Sequence, residues 1–156
     1  FFTFHTIDTN KLGLYIDEVR FAIDGHEQYQ HFVLKANIQE RFKPLSPKEM
    51  EIAPIIEINS REHDFGNMYG GERKTTNISI TNKGKTPLII RKIETSCGCT
   101  VPTLANRIIP PNQSTTLEIG FQARGKPGKQ NKIITIHCND PQTPIVKYSI
   151  RCFIEK

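Results

Sequence analysis

Leu117 to Ile154 reads LEIGFQARGKPGKQNKIITIHCNDPQTPIVKYSIRCFI, three alternating runs separated by two turns. Leu117, Ile119 and Phe121 alternate with Glu118 and Gly120. After a turn at Gly125–Gly128, Ile134, Ile136 and Cys138 alternate with Thr135 and His137. Asn139-Asp140-Pro141 interrupts the pattern, and Tyr148, Ile150, Cys152 and Ile154 resume it. A period of two puts one set of side chains on one face, which is the mark of strands with a single buried side.

The same alternation runs back to Ile55. Ile56 and Ile58 start a strand. Asp64-Phe65-Gly66 reads as a strand end with an inward Phe, and Gly70-Gly71 as a turn. Thr76, Ile78 and Ile80 face one way, and Asn82-Lys83-Gly84 closes that strand. Leu88, Ile89, Ile90 and Ile93 form the next, with a phase slip that predicts a bulge. Val101-Pro102-Thr103 reads as a proline-broken loop, and Ile108 to Asn112 as a stop. About seven short strands at spacings of roughly 8–12 residues predict an all-β fold, an Ig-like antiparallel β-sandwich over residues 55–156. The chain has no Trp and no Cys pair at inter-sheet spacing, so the likeness to an immunoglobulin domain is architectural.

Residues 1–40 repeat the end of the chain. Gly13, Val19-Phe21-Ile23, a turn at Asp24-Gly25 and Leu34-Ala36-Ile38 answer to Gly128, Ile134-Ile136-Cys138, Asn139-Asp140 and Ile150-Cys152-Ile154. The offset is 115 residues for the first strand and 116 for the second. Phe2 and Phe4 answer to Ile119 and Phe121. Residues 1–40 therefore read as the trailing strands of an upstream copy of the domain. Three strands cannot close a sandwich, so their apolar face (Phe4, Phe21, Phe32, Leu34) needs a cover. The expected covers are the second domain, missing upstream residues, or another chain in a homo-oligomer. Residues 41–54 form a linker broken by Pro44, Pro47 and Pro54. Within it Ser46 is the expected N-cap of a short helical turn, with Pro47 first and Glu49 third.

Composition narrows function by exclusion. The 156 residues are 37% hydrophobic, enough for a core, and the net charge is +5. Lys and Arg are scattered (Arg73-Lys74, Arg91-Lys92, Lys126 to Lys132), so no nucleic-acid footprint is expected. No apolar run approaches the ~18–20 residues of a membrane span. Four cysteines are too few for a disulfide-stapled scaffold. Five dispersed histidines and acids on outward strand positions assemble no catalytic constellation, and no cofactor is expected. Asp64-Phe65-Gly66 matches a kinase metal-binding triplet but lacks the lysine strand and loops that give it meaning. With no Trp, and with Tyr148 inward, Tyr15, Tyr29 and Tyr69 are a thin basis for a glycan-binding module.

Chemistry concentrates in Ser96-Cys97-Gly98-Cys99-Thr100. In an extended segment both thiols face one side. A zinc site needs two more ligands, and His137 and Cys138 point to opposite faces at the wrong pole. Cys152 stands two strands away, about 9–10 Å, beyond the reach of a disulfide, and is expected opposite Lys132. The leading expectation is a packed structural corner with free or locally paired cysteines. A Cys97–Cys99 redox pair and soft-metal binding are the functional alternatives.

Asp64-Phe65-Gly66, Gly70-Gly71-Glu72, Asn82-Lys83-Gly84, Pro87-Leu88-Ile89-Ile90, SCGCT, Pro110-Pro111-Asn112 and Asn139-Asp140-Pro141, in this order, resemble a bacterial domain-of-unknown-function family. The resemblance covers residues 55–156. It departs at Asn112, where the family has Gly, a place where Asn tolerates left-handed backbone. The resemblance implies an Ig-like sandwich akin to major-sperm-protein and hydin-type modules. It also implies export, to the periplasm or the cell surface, in some members as a lipoprotein, and it assigns no activity. The family-signature residues are Asp64, Phe65, Gly66, Ser96, Cys97, Gly98, Cys99 and Thr100. The expected function is a non-catalytic structural or protein-interaction module, meeting partners or other domains of its chain through surfaces or free strand edges. The alternatives are a thiol- or metal-handling module centred on Cys97 and Cys99, and a glycan-binding module.

Overall fold

The computed structural model describes residues 12–23, 26–125 and 127–155. It forms two compact units, residues 1–41 and 42–156. The expected strand around Phe2 and Phe4 and the turn at Asp24-Gly25 lie outside the described residues.

In the first unit, β1 (Gly13–Ile23) and β2 (His26–Ile38) form an antiparallel hairpin. Gly13 stands opposite Ile38, Asp17 opposite Leu34, and Val19 opposite Phe32.

The second unit opens with α1 (Pro47–Ile52). Ser46 Oγ accepts the Glu49 N–H at 3.3 Å, and Glu49 Oε2 accepts the Ser46 N–H at 2.8 Å. This reciprocal capping box satisfies two helix-end donors, as the Ser-Pro-x-Glu spacing requires.

Nine strands follow: β3 (Ile56–Ile58), β4 (Glu62–Met68), β5 (Arg73–Asn82), β6 (Leu88–Thr95), β7 (Thr100–Leu104), β8 (Ile108–Ile109), β9 (Ser114–Gln122), β10 (Gly128–Cys138) and β11 (Ile145–Ile154). They make two sheets, ordered β4-β11-β10-β6-β8 and β3-β5-β9-β7. The alternating positions read from the sequence meet between them. Ile78, Ile80, Leu117, Ile119 and Phe121 of one sheet share a buried cluster with Leu88, Ile90, Ile134, Ile136, Tyr148 and Ile150 of the other. Burial of these side chains is the main stabilising term.

The all-β sandwich expectation holds, with four corrections. First, β4 pairs with β11 in parallel, while the other pairs are antiparallel. The chain leaves the β3 sheet at Asn59-Ser60-Arg61 and joins the edge of the other, so β4 runs alongside the last strand.

Second, Asp64-Phe65-Gly66 lies inside β4, not at a strand end. Phe65 and Gly66 face the single residue Cys152, a bulge that Gly66 (φ 67°) makes possible. Phe65 does turn inward, stacking on Phe121 at 5.9 Å.

Third, residues 100–104 form strand β7, not a loop. Gln122 donates to the Cys99 carbonyl and Ala105 donates to the Thr116 carbonyl. With Val101 opposite Gly120, the odd residues bond β9 and the even ones turn their backbone outward. Pro102 therefore sits where no donor is needed.

Fourth, Cys152 stands opposite Gln130; Lys132 faces Ile150.

The phase slip in β6 is a bulge, since Lys92 and Ile90 face the consecutive residues His137 and Cys138. Asn112 has φ 58°, a left-handed geometry that Asn tolerates.

Candidate functional site

The Ser96–Thr100 corner links β6 to β7 and passes from one sheet to the other. It is a turn, not extended chain. That brings the Cα atoms of Cys97 and Cys99 to 5.3 Å, and the two sulfurs are bonded as a disulfide. Of the alternatives open in the sequence, the structure thus takes local pairing.

Each residue of the motif has a physical task. Ser96 donates its N–H to the Ile133 carbonyl at 2.9 Å and accepts the Ile133 N–H on Oγ at 3.0 Å, which pins the corner to β10. Thr95 Oγ1 donates to the Cys97 carbonyl at 2.9 Å. Gly98 is the exposed tip. Cys99 packs partly against the core, and its carbonyl accepts from Gln122. Thr100 is buried, 4% exposed, and its hydroxyl lies 3.6 Å from Cys97 Sγ and 4.0 Å from Cys99 Sγ. Cys99 and Gly98 border an open cleft shared with Arg73, Lys74, Val101 and Arg124.

The other cysteines stay apart. Cys138 is buried and donates to the Thr143 carbonyl at 3.3 Å. Cys152 is buried and makes no disulfide. Burial pushes its thiol up, and the charge of Asp64 adds to the effect. Among the described residues no group of three metal-ligating side chains converges.

Asp64 and Gly66 border a second cleft with Asn67, Lys129, Asn131 and Arg151. Here the signature is structural. Asp64 Oδ1 accepts the Gly66 N–H at 2.8 Å, and Lys74 Nζ donates to the Phe65 and Asn67 carbonyls. These bonds hold the bulge.

Sequence reasoning missed three buried polar staples. Asn82, wholly buried, donates to the Thr86 and Ile109 carbonyls and accepts the Gly84 N–H. Asp140 accepts from Ile56, Gln142 and Thr143. His137, buried within β10, meets Glu94 Oε2 at 2.9 Å. The signal for the first two was present, since Asn-x-Gly and Asn-Asp-Pro are turns whose side chains bond backbone. Of the tyrosines, Tyr148 is buried as expected, and Tyr69 is exposed in the turn after β4.

A family described as a protein of unknown function, DUF1573, matches residues 56–152. The chain belongs to the DUF1573 family. The matched span holds every signature residue discussed above, so this DUF1573 domain coincides with the sandwich of the second unit. No curated protein matches the chain. Solved structures resemble it, among them two that match over most of this chain. One is a protein of unknown function from Porphyromonas gingivalis W83, 21% identical, with a TM-score of 0.71 over 94% of this chain and 68% of that one. The other is the ASH/PapD-like domain 7 of human CEP192, 12% identical, with a TM-score of 0.56 over 78% of this chain and 97% of that one. At these identities the likeness is one of fold: this DUF1573 domain is an Ig-like β-sandwich.

Proposed function

We propose that the chain is a non-catalytic repeat module of an extracytoplasmic bacterial protein, with a structural, module-to-module role. The register of the N-terminal hairpin carries this reading. Gly13 opens β1 at φ 95° opposite Ile38, and Gly128 opens β10 at φ 113° opposite Ile154. The equivalence continues as far as Arg20, with Val19 opposite Phe32 as Ile134 is opposite Tyr148, and Asp17 opposite Leu34 as Lys132 is opposite Ile150; beyond Arg20 the hairpin has a register shift that β10 and β11 lack. The exposure of the two faces differs among the described residues. Tyr148 is 1% exposed, and its counterpart Phe32 is 63% exposed. An apolar hairpin in this register is what the trailing strands of a second sandwich look like.

The cover we assign is the opposing sheet of an upstream copy of the same fold. Edge-to-edge addition is disfavoured for the sandwich itself. Its edge strands are short (β3, β8), carry Pro102 (β7) or are bent by the Phe65-Gly66 bulge (β4). The Cys97–Cys99 pair supports an oxidising compartment outside the cytoplasm.

Amide hydrogen exchange on the full native gene product tests the proposal. The β2 amides should be protected to the level of β11, and Phe32→Ser should remove that protection while β11 keeps its own. Exchange of β2 at the rate of an isolated hairpin in that polypeptide would overturn it.

A further inference from the structure

Thr100 has a buried hydroxyl whose hydrogen-bond partners among the described residues are the two sulfurs of the Cys97–Cys99 disulfide. A disulfide sulfur is a weak acceptor, whereas a thiolate is a strong one. The hydroxyl is therefore better satisfied when the bond is open. Two exposed cations, Arg73 and Arg124, border the cleft on the Cys99 side, and neither guanidinium has an ion pair among the described residues. Lys74, the third cation there, is held by the Phe65 and Asn67 carbonyls and by Glu72 at 3.6 Å. The backbone on either side of the pair is pinned, by Ser96 to β10 and by Cys99 to β9, so on opening the sulfurs move apart by side-chain rotation while the backbone stays beside Thr100.

We infer that this corner is a thiol–disulfide exchange site for acidic, cysteine-containing peptides. The inference goes beyond the scaffold reading and does not depend on it. The peptide thiolate enters the cleft and bonds Cys99 Sγ. The Cys97–Cys99 bond breaks, and Cys97 leaves as a thiolate that receives the Thr100 O–H. A second thiolate of the peptide attacks the first peptide sulfur, closes the peptide disulfide, and releases Cys99, which takes a proton from water. The peptide dithiol loses two electrons and the Cys97–Cys99 disulfide gains them. Arg73 and Arg124 raise the local concentration of an acidic thiol and favour its ionised form.

The test is redox equilibration of the 156-residue chain in glutathione buffers at pH 8, with Thr100→Val and Thr100→Ser beside the wild type. A hydrogen bond to a charged acceptor corresponds to roughly a tenfold change in equilibrium. Thr100→Val should therefore make the disulfide about tenfold harder to reduce, about 30 mV more negative, while Thr100→Ser stays at the wild-type value. Equal potentials for all three folded proteins would overturn the role of the hydroxyl. Independently, the rate of reduction by glutathione, which is anionic, is compared with that by cysteamine, which is cationic. The ratio should fall about tenfold in Arg73→Gln/Arg124→Gln, exposed changes that leave the core intact. An unchanged ratio would overturn the assignment of an acidic partner. A disulfide that neither thiol opens in the folded wild type would overturn the site altogether.

Discussion

Asp140 Oδ2 accepts the backbone N–H of Ile56 at 2.9 Å, across 84 residues of sequence. The bond joins the β10–β11 turn of one sheet to the first strand of the other. The second oxygen accepts from Gln142 and Thr143 at 2.8 and 3.1 Å, so one buried carboxylate both shapes a turn and clasps the sandwich.

Replacing Asp140 with Ala leaves three backbone donors without an acceptor. The expected loss is about 1–3 kcal/mol in urea unfolding, with an unchanged denaturant slope. Asp140→Asn should lie between Ala and wild type, because an amide offers one acceptor oxygen in place of two. A loss below 0.5 kcal/mol for Ala, roughly the scale of a neutral surface change, would contradict the clasp.

Gly84 and Gly98 belong to different kinds of site. A Cβ on Gly84 would come within 2.6 Å of Pro54 Cα and 2.7 Å of the Ile55 nitrogen, which are backbone atoms that cannot swing aside. One on Gly98 meets nothing within 4 Å. Gly84→Ala should therefore cost about 1–3 kcal/mol, as overpacking does. Gly98→Ala should stay within about 0.5 kcal/mol of wild type. Thermal melts of the pair decide the matter, and equal effects would count against it.

Pro102 protects an edge. Its neighbours Val101 and Thr103 bond inward to β9, and the proline removes the central outward donor of β7. Pro102→Thr should leave monomer stability within about 0.5 kcal/mol but increase concentration-dependent association in light scattering. Scattering indistinguishable from wild type would show that the edge is guarded by something else.

Glu94 sets an acid response. Burial pushes its carboxyl up, but hydrogen bonds and charge from Lys92 and His137 outweigh that and hold it below the usual carboxylate range. A carboxylate depressed in the folded state stabilises above its unfolded value, near 4.5, and the contribution is lost as the pH falls through the folded value. Glu94→Gln should thus be less stable than wild type at pH 7, with the gap closing on acidification below about 4. A gap independent of pH would mean that the carboxylate charge plays no part.

Local rules were legible in the sequence. The alternation of Leu117-Ile119-Phe121 and of Tyr148-Ile150-Cys152-Ile154 reports its buried face, because strand geometry depends only on neighbouring residues. Ser46-Pro47-x-Glu49 encodes its own cap, and the slip between Ile90 and Ile93 its own bulge. Tertiary structure alone decided which strands meet. The parallel seat of β4 beside β11 depends on a partner some ninety positions away. Pro102 could be placed in a strand only once β7 was an outer one, since a proline is excluded only where its missing N–H faces a neighbour. The same holds for Thr100. Its identity is plain in the sequence, but burial of its hydroxyl against two sulfurs arises from a turn that the strand pattern does not specify.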